Sequence, residues 1–278
     1  MKEVLQVAEE KPSPELQIKT EMQRIRDMYA ADDSQESFNL LLCGEMGTGK
    51  THLLHTARRP IHIDSFDPGG TKLGPLRQGI KDGWILVDTR FEKEDPMKPS
   101  VAKQWIEEMD RREKLGYFNA IGTYCIDSFS SWTNALMGKQ LLGANIAGQA
   151  PRFTHDYMPV KTQQYNFIRR IMRYSCDFVL TAHLKGEKDE STGKILMRLL
   201  AIGDANITLP TLFDEVYVAI TKESPTEINK TKYFLLTSPK GPYLARTRMG
   251  SMKFTQEEEP DLTKLLKKAG REVKHLTY

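Results

Sequence analysis

The chain has 278 residues, 28% of them charged and 39% hydrophobic, with a formal net charge of only +3. That length buries one substantial core with terminal extensions, and the near-neutral balance excludes a global nucleic-acid footprint, so any basic surface must be local. No apolar run approaches the roughly 18 residues of a membrane span, and Cys43, Cys125 and Cys176 sit in or beside apolar runs without metal-ligand spacing; the expectation is a cytoplasmic protein (a host cytoplasm included) with buried, reduced thiols.

In chain order, residues 1–36 read as an N-terminal extension, 37–255 as the core and 256–278 as a basic helical tail. The polar start Met1-Lys2-Glu3-Val4 is unlike a signal peptide, and residues 1–13 read as unstructured. From Glu15 to Ala30, Ile18, Met22, Ile25 and Tyr29 recur at helical spacing on one face. Such a face either covers its own domain or docks on a neighbouring subunit.

Leu40-Leu41-Leu42-Cys43 then reads as a strand running into Gly44-Glu45-Met46-Gly47-Thr48-Gly49-Lys50-Thr51, which satisfies the phosphate-loop pattern G-x-x-x-x-G-K-[ST]. The glycines let successive amides turn inward around a triphosphate, and the following helix directs its positive end at the phosphate charge. Gly44 to Thr51 and His52 are therefore the candidate nucleotide contacts, with Lys50 on the β- and γ-phosphates and Thr51 on Mg²⁺. The expected cofactors are ATP and Mg²⁺, although no base-reading motif separates ATP from GTP.

A helix is expected over Thr51–Arg59, stopped by Pro60, then a strand at Ile61–Asp64 and a turn-rich loop Ser65-Phe66-Asp67-Pro68-Gly69-Gly70. His52 and His55, three residues apart, lack a third metal ligand nearby and read as helix surface or core. Trp84–Val87 is a strand ending at Asp88, Ser100–Leu115 a helix with Gly116 past its end, and Ala120–Ile126 a strand ending at Asp127. Residues 130–142 read as helix, 143–160 as a long loop, 162–174 as helix and Phe178–Thr181 as strand. Alternating strands and helices imply an α/β fold with a mostly parallel sheet covered on both faces. From Phe213 the pattern changes to strands at Val216–Ile220, Tyr233–Thr237 and Tyr243–Ala245, an antiparallel extension. A short helix from Asp261 carries Leu262, Leu265 and Leu266 among lysines. There is no internal repeat and no low-complexity tract.

A phosphate loop needs a carboxylate at a nearby strand end to organise Mg²⁺, and Asp127 is the candidate; otherwise it is an Asp capping a turn. Its successor is Ser128 rather than an acid, so the water-activating carboxylate must come from elsewhere. Asp67 is the choice, with Asp64 and Asp88 as rivals and a turn-forming Asp beside Pro68 as the plain alternative. Thr181-Ala182-His183 closes the strand expected between the phosphate-loop strand and the Asp127 strand, where His183 can report on the γ-phosphate or merely hydrogen-bond a strand end.

Taken together, Gly44 to Thr51, Ser65 to Gly70, Ile126-Asp127-Ser128 and Thr181-Ala182-His183 resemble, in order and content, the phage-encoded RecA-like ATPases, described as phage nucleotide-binding proteins or single-strand annealing ATPases. The resemblance spans roughly residues 37–250. It implies a RecA-like P-loop core, Mg-ATP hydrolysis, and action on single-stranded DNA in phage recombination or replication. Arg246-Thr247-Arg248-Met249-Gly250 is similar to a basic-x-Arg-x-Gly segment of hexameric RecA-like helicases. The likeness implies a homo-oligomer in which Arg246 and Arg248 reach a neighbour's γ-phosphate, although the family usually has Lys at the first place; the alternative is two solvated arginines. It further implies DNA-contacting loops near Gly143–Val160 (Arg152, Phe153, Tyr157) and Lys185–Leu200 (Lys185, Lys188, Lys194, Arg198); the alternative, to which the interleaved Glu187, Asp189 and Glu190 point, is solvated loops of ordinary charge. The basic tail reads as a second candidate contact or simply a soluble helix end, and no membrane partner is expected. The alternatives are an ATPase with a protein client or a packaging or helicase-loading role, against which Ser128 argues, and a small-molecule phosphotransferase, for which no lid pattern is visible.

Overall fold

The computed structural model describes residues 13–31, 37–190, 193–201, 204–224 and 230–276. Apart from Ser13, the segment expected to be unstructured lies outside them. The chain divides into two compact units, Met1–Glu36 and Ser37–Tyr278. The first contributes helix α1 (Pro14–Ala30), which opens on Pro14 and is capped by Ser13, whose Oγ accepts from the Leu16 amide at 3.4 Å.

The second unit runs β1 (Asn39–Gly44), α2 (Lys50–Leu53), β2 (Ile61–Ser65), α3 (Gly74–Lys81), β3 (Ile85–Asp88), α4 (Val101–Lys114), β4 (Thr123–Asp127), α5 (Phe129–Gly143), α6 (Phe153–Ile171) and β5 (Asp177–Lys188). It continues with β6 (Ile195–Leu199), α7 (Ala205–Thr208), β7 (Glu215–Glu223), β8 (Thr231–Leu236), β9 (Glu257–Glu258) and α8 (Leu262–Ala269). The sheet order is β3-β2-β4-β5-β1-β7-β8-β9, parallel as far as β7 and antiparallel beyond it. Strand β5 lies between β1 and β4, as the sequence leads one to expect.

The strands are apolar runs because both sheet faces are covered. Along β1 the side chains alternate: Leu41 and Cys43 join the cluster under α4, α5 and α6 that holds Trp105, Trp132 and Phe178, whereas Leu40 and Leu42 join Leu53, Leu54 and Leu265 on the other face. Helix α8 buries Leu262, Leu265 and Leu266 there, each worth about 1.5–3 kcal/mol. Among the described residues no helix is long and apolar enough to cross a membrane.

Several expectations change. The helix after the phosphate loop is one turn of α2 followed by a 3-10 turn over Leu54–Thr56, because Thr56 Oγ1 donates to the Leu53 carbonyl at 2.7 Å and Ala57 is already extended. Helix α3 was not anticipated. The expected loop over 143–160 is helical from Phe153: Asp156 fastens the first turn by accepting from the Arg152 amide at 2.7 Å, and Pro159 is tolerated inside α6 because the carbonyl it leaves, that of His155, accepts from Gln140 at 3.5 Å. The expected loop over Lys185–Leu200 is largely the β5–β6 hairpin. Val216–Ile220 lies in a strand parallel to β1, so the antiparallel extension begins only at β8. Tyr243–Ala245 is no strand; Tyr243 makes isolated bridges to Met197 and Lys240, and neighbouring Arg246 bridges to Val216.

Candidate active site

The carboxyl ends of β1, β2, β4 and β5 converge on one cavity of about 530 Å³, lined by Met46 to Leu53 together with Asp67, Asp127, His183 and Tyr233. Gly44, the last residue of β1, is required by space: a Cβ there would come within 2.5 Å of Thr48 Oγ1 and 2.8 Å of the Ala219 carbonyl. Gly49 adopts φ +85°, a left-handed turn that aims the start of α2 into the cavity. Lys50 folds back, donating to the Gly44 and Glu45 carbonyls at 2.9 and 2.8 Å, with Nζ 3.5 Å from His183 Nδ1. Burial pushes its ammonium below the usual lysine range against the pull of Asp127.

Thr51 Oγ1 donates to Asp127 Oδ2 at 2.8 Å, and Thr181 donates to Asp127 Oδ1. Burial raises the Asp127 carboxyl above the ordinary carboxylate range, and the two hydroxyls offset it only in part. A hydroxyl and an under-compensated carboxylate side by side are hard oxygen donors that fit Mg²⁺, whose charge would restore the ionised form. Asp67 stands beside them because its amide donates to the Asp127 carbonyl at 3.2 Å; its Oδ1 accepts from Ser131. His183, at the end of the β1-paired part of β5, is pushed below the ordinary histidine range by burial and by Lys50, which favours neutral imidazole. His52 is lowered in the same direction by burial and His55.

Met46 to His52, Asp67, Asp127 and His183 therefore line one cavity, with Met46 exposed at it, whereas Gly44 and Glu45 do not line it and meet Lys50 through their carbonyls. Asp64 and Asp88 do not line the cavity; they bind Arg112 at 2.9 and 2.6 Å. Arg246 and Arg248 lie near the opposite end of β7, beside Val216 and Glu215, whereas Gly44 aligns with Ala219. The Arg246 guanidinium donates to the Pro210 and Phe213 carbonyls at 3.1 and 2.5 Å, and Arg248 donates to Asp214 at 2.9 Å. Sequence reasoning missed Ser131, the partnership of Thr181 with Asp127, and Tyr233. The hydroxyl-rich start of α5 hints at Ser131, but nothing short of the β7–β8 register locates Tyr233.

No curated protein matches the chain. Among solved structures it is similar to a prototypical ATPase from the type III secretion system of pathogenic bacteria, at 13% identity and TM-score 0.42 over 66% of this chain and 52% of that one. It is also similar to the assembled ATPase EscN, in complex with its central stalk EscO, from enteropathogenic E. coli, at 11% identity and TM-score 0.46 over 87% of this chain and 64% of that one. The chain thus spans about half to two thirds of those chains' length. The family model AAA_24, described as an AAA domain, matches residues 37–249, and the chain accordingly belongs to that family and is a P-loop ATPase.

Proposed function

We propose that the chain is a Mg²⁺-dependent ATPase that works as a homo-oligomer on single-stranded DNA, in phage recombination or replication. The observation that carries the catalytic part is the Lys50, Thr51, Asp127, Asp67 and His183 constellation on one cavity. The phosphate-loop amides and Lys50 hold the triphosphate, which requires Lys50 to leave the Gly44 and Glu45 carbonyls. Thr51 and Asp127 would hold Mg²⁺, which would supply neutralisation of the phosphate charge. Asp67 orients a water and accepts its proton as the water oxygen bonds to the γ-phosphorus and the bond to the β–γ bridging oxygen breaks, leaving ADP and phosphate. Ser131 fixes one Asp67 oxygen, leaving the other for the water. His183 hydrogen-bonds the γ-phosphate and answers to its loss.

Strand β5 continues unbroken from His183 into the β6 hairpin with Lys185, Lys188, Lys194 and Arg198, so a strand bound at the hairpin would be coupled to the γ-phosphate through one rigid element. Lys185 and Arg198 both pair with Glu187, which supports the second reading, an ATPase with a protein client. Arg248, with its side chain more than half exposed, is the better trans-acting arginine; Arg246 is tied to backbone carbonyls.

The test is ATP turnover by purified protein with single-stranded DNA, with duplex and with none. Stimulation by the single strand alone, with an affinity that falls steeply with salt, is expected; equal rates in all three would remove DNA from the account. Mixing Arg248→Ala with Lys50→Ala subunits should restore activity if sites are shared between subunits, and failure of every mixture would end that part.

A further inference from the structure

We infer that Tyr233 and Pro260 form the platform on which the nucleobase stacks, and that this platform does not distinguish adenine from guanine. The inference deepens the nucleotide reading and rests on it. Register places the two residues. Gly44, the last residue of β1, aligns with Ala219, and Tyr233 pairs with Thr221, two residues further along β7. Tyr233 therefore stands beyond the carboxyl end of β1, beside the phosphate loop. Leu235 on the same face of β8 turns into the core next to Leu53 and Leu54, so Tyr233 faces the α2 side of the sheet. Its ring closes on the loop itself, since a Cβ on Gly49 would lie 3.3 Å from Tyr233 Cδ1.

Pro260 arrives from the other side. Leu235 pairs with Glu258 in the antiparallel β8–β9 ladder, so two residues on, Pro260 comes abreast of Tyr233. The Asp261 cap of α8, which accepts from Lys264 at 2.9 Å, fixes the chain next to Pro260. Both residues line the same cavity as Lys50 and Thr51. That cavity thus has a charged end, with Lys50, Asp67, Asp127 and His183, and an apolar end, with Tyr233, Pro260, Leu53 and the exposed His52. A half-exposed phenol ring (46%) facing a triphosphate site offers a π-face of the kind on which any base stacks.

Telling adenine from guanine takes a hydrogen-bond donor and acceptor at the base edge, from a side chain such as Asn, Gln, Asp, Glu or Arg or from the backbone. Among the described residues lining the cavity, the only carboxylates are Asp67 and Asp127, both at the phosphate end, and no side-chain amide is present. Stacking without edge readout gives affinity without base selection.

Equilibrium binding of Mg-ATP, Mg-GTP and Mg-tripolyphosphate to the full chain, measured by calorimetry, tests this. The parent should bind ATP and GTP within about threefold of each other, and both roughly tenfold or more tighter than tripolyphosphate. Tyr233→Ala should lose roughly that tenfold for both nucleotides and nothing for tripolyphosphate, whereas Tyr233→Phe should bind like the parent. Equal weakening of tripolyphosphate would make Tyr233 a brace for Gly49 and overturn the platform, as would no change at all. A parent preference for one base above about tenfold would overturn the lack of discrimination. Should the parent bind none of the three, the nucleotide reading would fall first and take the platform with it.

Discussion

Asp64, next to last in β2, and Asp127, last in the neighbouring parallel strand β4, stand one residue out of step, since Ser65 pairs with Asp127. Both are almost completely buried, at 0% and 2% exposure, yet their carboxyls move in opposite directions. For Asp64 burial pushes upward, but His62 at 2.9 Å, Tyr124 at 2.5 Å and the Arg112 guanidinium at 2.9 Å outweigh it and hold the group at about 2. For Asp127 burial wins, because two hydroxyls and a Lys50 turned toward backbone carbonyls are weaker compensation. A carboxylate whose cation is built in is a fastener. A carboxylate that faces a cavity and lacks one has free energy to gain from a cation that arrives.

The strongest way to break this contrast is to neutralise each group. Asp127→Asn, like Lys50→Ala, should lower kcat by about 10²–10³-fold or more. Asp127→Asn should at the same time unfold no earlier in urea than the parent, because it removes a poorly compensated buried charge. An early-melting but active Asp127→Asn would make Asp127 the fastener instead.

Next in size is Arg112→Met, which takes the guanidinium from fully buried Asp64 while Asp88 keeps Arg90, and should cost about 3–5 kcal/mol by urea denaturation. The affinity of the remaining folded molecules for nucleotide should be unchanged. Acid sharpens the same point. The folded Asp64 carboxyl sits near 2 against an ordinary 3.8, so its contribution is complete above about pH 4 and is lost as pH falls toward 2. The loss is on the order of 2 kcal/mol and should largely vanish in Asp64→Asn, whose stability is already reduced. The raised Asp127 carboxyl has the opposite sign: it takes stability away as pH rises from the ordinary 3.8 through its folded value, and Asp127→Asn should abolish that slope.

Much of this is legible in the chain itself. The Gly44–Thr51 spacing, the apolar runs ending at Asp64, Asp88 and Asp127, and their alternation with helices suffice for the sheet, because local pattern and burial agree there. What they leave open is which strand-end Asp is paired. Arg112 is 48 residues from Asp64 and reads as one more charge on an amphipathic helix until α4 lands on the sheet. The first part of α6, residues 153–161, was hidden for a related reason, although the helix from 162 was expected: Pro159 looks like a breaker until Gln140, on another helix, takes up the carbonyl it leaves. The hairpin after His183 and the parallel direction of β7 depend likewise on partners distant in sequence.

The smallest expected effect addresses the hydroxyls that hold Asp127. Thr181→Val keeps the shape of the β5 side chain but removes the proton donated to Asp127 Oδ1. With burial less well compensated, the carboxyl should rise further. Because Mg²⁺ binds the ionised form, the apparent Mg²⁺ midpoint of nucleotide binding at neutral pH should increase, by about tenfold for the loss of a partner to a metal-binding carboxylate. Thr181→Ser retains the donor and should stay near the parent. If valine and serine behave alike, packing rather than the hydrogen bond is what Thr181 supplies, and Asp127 is tuned by Thr51 and Lys50 alone.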